Sequence, residues 1–189
     1  MELVSKAIIF ATQAHDGMRR RQEKSPYILH PMEAAAIVGS ITNSQEVIAA
    51  AALHDVVEDT GISMQEIETH FGTRVAELVA SETENKRAHL PPETTWKVRK
   101  EEAIQILEST KDLDIKILYL GDKLSNMRAF YRNWLKEGNG VWQHFDQKDP
   151  VQQAWYYRSI ADNTRELSNT PAWQEYHHLI QIIFAEVST

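Results

Sequence analysis

The sequence predicts an all-α fold in a single domain. Apolar residues recur at three-to-four spacing through nearly every segment, as on the buried face of a helix. Residue pairs that start or stop helices flank those segments. No run alternates with the period of two that marks a half-buried strand, and 7 Gly and 6 Pro leave few turns for a β architecture. A chain of 189 residues can bury one sizeable core and is short for two. One unit over 1–189 is expected, with core motifs in about 7–128 and C-terminal helices in about 149–187.

The elements follow in order. Leu3, Ala7, Phe10, Ala11 and Ala14 form the first helical stripe, and Pro31 suits the first position of the next helix. Asn43 with Glu46 resembles a capping box before Val47–Leu53, a segment apolar nearly all round and so expected to be central and buried. Thr60-Gly61 is expected to end that helix. Ser63 with Glu66 gives a second capping box, and Thr73 is placed to cap the helix through Val75, Leu78 and Val79. The polar stretch Glu82–Thr95 reads as a surface loop before a helix holding Trp96, Ala103, Ile104 and Leu107. Asp112 starts a helix that Gly138-Asn139-Gly140 breaks. Asp149-Pro150 and Thr170-Pro171 each read as N-cap and first helical residue. The last helix carries Trp173, Tyr176, Ile180, Ile183 and Val187 on one face, which would pack on the core or on a second copy of the chain; a homo-oligomer is compatible with it.

Composition removes several classes of function. There is no Cys, so disulfides, thiolate zinc sites and thiol nucleophiles are excluded. A net charge of −7 does not attract duplex nucleic acid along its length. The N-terminal apolar run is too short for a membrane span and has no cleavage pattern, so no membrane association and a cytoplasmic location are expected.

The chemistry gathers around LHDVVEDT, Leu53–Thr60, at the end of the most apolar helix. A His, two Asp and a Glu buried there are costly unless a cation compensates. Glu58 lies four residues after His54, and Asp59 four after Asp55, one helical turn further along. By itself the His54-Asp55 pair is a weak signal. His30 in PYILHP precedes a helix, and Asp122 in LYLGDKLSNMR closes an apolar run; each alone reads as structural. Together His30, His54, Asp55 and Asp122 supply two imidazoles and two carboxylates, a set suited to Mn²⁺, Fe²⁺ or Zn²⁺ with open water positions. An ion in such a set makes water a nucleophile near neutral pH, and Glu58 and Asp59 would orient or deprotonate it.

AHDGMRRR, PYILHP, LHDVVEDT, ETENK and LGDKLSNMR occur in an order and approximate spacing that resemble the HD hydrolase domain of RelA/SpoT proteins. The likeness is greatest to small stand-alone alarmone hydrolases such as the metazoan SpoT homologue. It runs from about Ala7 to Arg128 and continues more weakly into WYYRSIADN. The resemblance implies an all-α HD-domain bundle binding one Mn²⁺. It also implies removal of the 3′-pyrophosphate of ppGpp or pppGpp, with GDP or GTP and pyrophosphate as products. It places the metal ligands at His30, His54, Asp55 and Asp122 and the acidic pair at Glu58 and Asp59.

The same resemblance implies contacts to a guanosine polyphosphate or a related nucleotide. Arg20-Arg21 stands where the family has an Arg-Lys pair against the base, and an arginine lies flat on a purine equally well. Lys86 would meet a phosphate, Asn126 a ribose or phosphate, Lys123 and Arg128 phosphate charge, and Tyr156 or Tyr157 the nucleotide. Asn85 stands where many relatives carry Asp, and the segment before PYI is about one residue shorter than in the metazoan form. These departures spare the metal set and bear on the nucleotide. An adenine alarmone, the 2′-phosphate of NADPH, or non-catalytic nucleotide sensing are the competing readings. The retained Glu58 and Asp59 argue against sensing alone.

Overall fold

The most apolar stretch of the sequence is also the most deeply buried element. Helix α3, Gln45–Leu53, has no exposed surface at any residue from Ala49 to Leu53. The computed structural model describes residues 1–20 and 24–187, and every regular element among them is helical. Around α3 pack α1 (Leu3–Ala14), α2 (Leu29–Gly39), α6 (Thr73–Glu82) and α8 (Leu113–Glu137). The remaining elements are α4 (Val56–Asp59), α5 (Met64–Phe71), α7 (Pro92–Ser109), α9 (Pro150–Asn163) and α10 (Pro171–Ile183). Two 3₁₀ segments cover Gly138–His144 and Arg165–Leu167.

Helix α8 is the spine. Its 25 residues extend roughly 37 Å at 1.5 Å per residue. Along that length it meets α2, α3, α6, α9 and α10. Small residues set its distance from α2. A Cβ added at Gly121 would lie 2.5 Å from Val38 Cγ2 and 3.2 Å from the Ala34 carbonyl. The two backbones therefore approach closely, next to Asp122 on α8 and one to two turns from His30 on α2.

Most helix boundaries follow their caps. The Ser63–Glu66 capping box is formed, and Asp112, Asp149 and Thr170 accept backbone N–H bonds as N-caps. Several expectations are corrected. Ser44, not Asn43, caps α3, its hydroxyl accepting from Val47 N. Pro31 is the third residue of α2 rather than the first. Gly72, at φ +89, precedes α6, so Thr73 is its first residue and bonds Glu68 instead. Glu82 is buried at the end of α6, not in a surface loop. The final helix ends at Ile183, leaving Val187 beyond it.

The consequential correction lies at His54-Asp55. Helix α3 does not run on to Thr60 but stops at Leu53, and α4 starts at Val56. Asp55 sits at φ −90, ψ −7, in the bridge region between helical turns. On a continuous helix the two side chains would diverge by roughly 100°. Across this break they turn to the same point.

Gly121→Val tests the α2–α8 approach. Urea unfolding should show a loss of about 1–3 kcal/mol from overpacking, even though valine is the better helix former. Unchanged or raised stability would mean that the helices are free to separate.

Candidate metal centre and cleft

Three separate elements deliver the four predicted ligands to one point. His30 comes from the first turn of α2, His54 and Asp55 from the α3–α4 break, and Asp122 from the middle of α8. His30 Nε2 is 3.0 Å from Asp122 Oδ1 and 3.4 Å from Asp55 Oδ2. His54 Nε2 is 3.2 Å from Asp55 Oδ2 and 3.5 Å from Asp122 Oδ1. Donors that each lie about 2.1 Å from one ion are separated by about 3–3.5 Å. His30, His54 and Asp122 are buried, with ligand atoms within 4.8 Å of one another.

The hydrogen bonds around the cluster fix how its two rings are turned. His54 Nδ1 is 2.8 Å from the Ala51 carbonyl, which can only accept, so the ring proton sits on Nδ1. In the neutral ring Nε2 then carries the lone pair, and it is buried with no hydrogen-bond partner. A buried polar atom without a partner costs about 1–3 kcal/mol, and a bound cation removes that cost. Two imidazoles and two carboxylates aimed at one point thus fit a divalent ion.

The groups act strongly on one another, and without a cation that interaction favours a charged His54. Burial opposes ionisation of Asp122, but Lys123, His30 and His54 outweigh it and hold the carboxyl well below its ordinary range. Asp55 is half-buried; desolvation opposes its ionisation, and His54 and His30 hold its carboxyl low. Burial disfavours a charged His54, yet Asp55 and Asp122 raise it well above the ordinary value. Tyr27, whose hydroxyl donates to Asp55 Oδ2 at 2.7 Å, joins the site without having been foreseen. It lies inside the PYILHP segment, but nothing in a sequence announces which carboxylate a tyrosine will reach.

Glu58 and Asp59 stand beside the cluster. Glu58 accepts from Glu84 N at 3.0 Å and pairs with Lys86 Nζ at 3.3 Å; Lys86 also pairs with Asp59. Burial and the charge on Asp55 push the Glu58 carboxyl up. Both acids line a cleft of about 490 Å³, together with Arg20, Lys86, Asn126, Phe130 and Tyr157. Arg20 donates to Asn126 Oδ1 at 3.0 Å, and Asn126 donates to Asp122 Oδ1 at 2.6 Å. Arg21 lies outside the described residues.

The cleft does not gather every predicted contact. Tyr156 is buried behind it against Trp96, while its neighbour Tyr157 lines the wall. Lys123 turns inward to Asp122 and to Glu82, 3.2 Å away. Burial lifts the Glu82 carboxyl to about 8 although Lys123 opposes that shift. Arg128 is engaged by Glu33 and Glu175 and does not line the cleft. Sequence reading also passed over the cleft walls from the 3₁₀ segment and the residues after it, where His144, Phe145 and Asp146 contribute. No motif covers that stretch.

The family model described as HD domain matches residues 7–152, which include all four predicted ligands. The chain belongs to the HD-domain family. Within it, this HD domain is related to the RelA/SpoT hydrolase domains. It is 35% identical over 127 residues to a probable guanosine-3′,5′-bis(diphosphate) 3′-pyrophosphohydrolase of Synechocystis, a match covering 67% of this chain and 16% of that protein. It is 34% identical over 130 residues to the Aquifex aeolicus guanosine-3′,5′-bis(diphosphate) 3′-pyrophosphohydrolase, covering 69% and 18%. The chain thus spans about a sixth of the length of the curated relatives it matches. A solved structure reported as a metazoan orthologue of SpoT that hydrolyses ppGpp superposes with TM-score 0.72 and 25% identity, over 98% of this chain and 96% of that one. A Listeria monocytogenes protein superposes with TM-score 0.72 and 34% identity, over 82% and 99%. No described helix is long and apolar enough to cross a membrane.

Titration with a divalent cation should raise the thermal midpoint by mass action. The gain is about 2.7 kcal/mol at a concentration one hundred times the dissociation constant. His54→Ala should abolish the rise, and a variant that is still stabilised would remove His54 from the site.

Proposed function

We propose that this HD domain is a metal-dependent pyrophosphohydrolase. In this reading it removes the 3′-pyrophosphate of ppGpp and pppGpp, giving GDP or GTP and pyrophosphate, with one Mn²⁺ as cofactor. The observation that carries the proposal is a centre of buried His30, His54 and Asp122 with half-buried Asp55, adjoining Glu58 and Asp59 on the wall of a cleft of about 490 Å³. A cleft of that volume suits a nucleotide. The names of the Synechocystis and Aquifex relatives and the reported activity of the metazoan orthologue support the guanosine substrate.

A divalent ion held by the four ligands supplies Lewis acidity and makes water nucleophilic near neutral pH. The chain's own groups do the rest. Glu58, with its carboxyl pushed up, accepts the proton of the attacking water, and Asp59 beside it orients that water. Lys86 bridges both acids and is placed to meet a phosphate at the cleft floor. Arg20 and Asn126, already bonded to each other at the cleft edge, are positioned for base and ribose. Tyr157 and Phe130 supply an apolar wall. Free nucleotide suits the net charge of −7 better than duplex nucleic acid does.

Manganese-loaded protein incubated with ppGpp should yield GDP and pyrophosphate, resolved by anion exchange and ³¹P NMR. An untouched ppGpp sample beside cleaved ppApp, or orthophosphate release from NADPH, would overturn the guanosine assignment while keeping the hydrolase. Glu58→Gln should lower kcat by roughly 10²–10⁴-fold, with manganese affinity close to that of the parent. Full turnover in that variant would move the proton-accepting role elsewhere.

A further inference from the structure

The two histidines of the centre are held in different ways. His54 Nδ1 faces a backbone carbonyl, which any residue at position 51 would provide. His30 Nδ1 faces a side chain, Ser125 Oγ, at 2.8 Å. Ser125 donates its own proton to Glu33 Oε2 at 2.8 Å. A hydroxyl has one proton to give, so Ser125 can only accept from the ring. The His30 proton therefore sits on Nδ1, and Nε2 turns its lone pair to the ligand cluster. Glu33 is held in turn. Its Oε1 accepts from Arg128 Nη1 at 3.2 Å, and Glu175 on α10 receives Arg128 Nε and Nη2 at 2.6 Å each.

We propose that Ser125 and Glu33 are positioning residues for the metal centre. They fix the tautomer and ring direction of His30, and the Arg128–Glu175 pair anchors them to α10. The proposal rests on the metal-site reading above. Neither residue reaches the cluster directly, and neither lines the substrate cleft. Both face a separate recess of about 280 Å³ on the other side of His30. Their removal therefore deletes no cleft wall, although Arg20 and Ala129 line both the recess and the cleft. Outer-shell partners of this kind are worth about 10–100-fold in metal affinity. Without Ser125 the ring is free to put its proton on Nε2, the atom that a metal needs bare.

The test uses the full chain and two readouts. Calorimetric Mn²⁺ titration gives affinity, and two-bond ¹H–¹⁵N correlation of the metal-free protein gives the His30 tautomer. Ser125→Ala and Glu33→Ala should each weaken Mn²⁺ binding about 10–100-fold and shift His30 from Nδ1–H toward a tautomer mixture. Arg74→Ala, which breaks a remote pair with Asp112 and Asp114, should change neither readout, so a general loss of stability is told apart. Affinity within twofold of the parent in Ser125→Ala, with His30 still protonated at Nδ1, would overturn the relay. If the parent binds no divalent ion, the metal reading fails, and the tautomer measurement still decides the relay.

Discussion

Two imidazoles and two carboxylates converge beside the fully buried end of α3, Ala49–Leu53, and the surrounding structure answers to that placement. Each of these groups is costly to desolvate alone. Removing one partner from such a buried set costs about 3–5 kcal/mol, because the others are left uncompensated. The bundle satisfies their outward atoms with Ala51, Ser125 and Lys123, while Tyr27 and Asn126 donate to the inward oxygens of Asp55 and Asp122. The inward atoms are left facing one another. Their separations of 3.0–3.5 Å suit donors that share one ion.

The backbone makes that spacing reachable in two places. The break between α3 and α4 turns adjacent residues to one point, which a continuous helix cannot do. The close approach at Gly121 lets α2 and α8 bring His30 and Asp122 within 3.0 Å. One device is local and the other is tertiary. The first carries two of the four groups and the second none, yet the set does not close without both.

Charge is divided sharply along the DKLSNMR segment. Asp122 faces the centre, Lys123 is buried behind it, Asn126 reaches the cleft edge, and Arg128 is spent on Glu33 and Glu175. Helical periodicity explains the separation, since positions 122 and 126 share a face while 123 and 128 do not. Residues that look alike as phosphate-binding cations are thereby given different roles. Lys86, from the loop after α6, is the cation that reaches the two acids.

The sequence by itself determined the helical class, the buried position of Val47–Leu53 and the choice of His30, His54, Asp55 and Asp122 as one set. Helical spacing and capping chemistry are local, and burying His and Asp beside an apolar run has few explanations. The sequence also marked Glu58 and Asp59, because their offset from His54 and Asp55 is short. What it could not hold were relations between segments far apart in the chain. Tyr27 to Asp55, Glu33 to Ser125 and Arg128 to Glu175 are contacts of packing, with no periodicity to announce them. Glu82 looked like the start of a loop because polarity alone does not tell a solvated carboxyl from one sunk beside Lys123. The helix break at His54-Asp55 was hidden for a similar reason: neither residue is a helix breaker, and only the packing of α4 and the cluster itself holds that turn. His54-Asp55 named the site; the tertiary structure decided which way those side chains face.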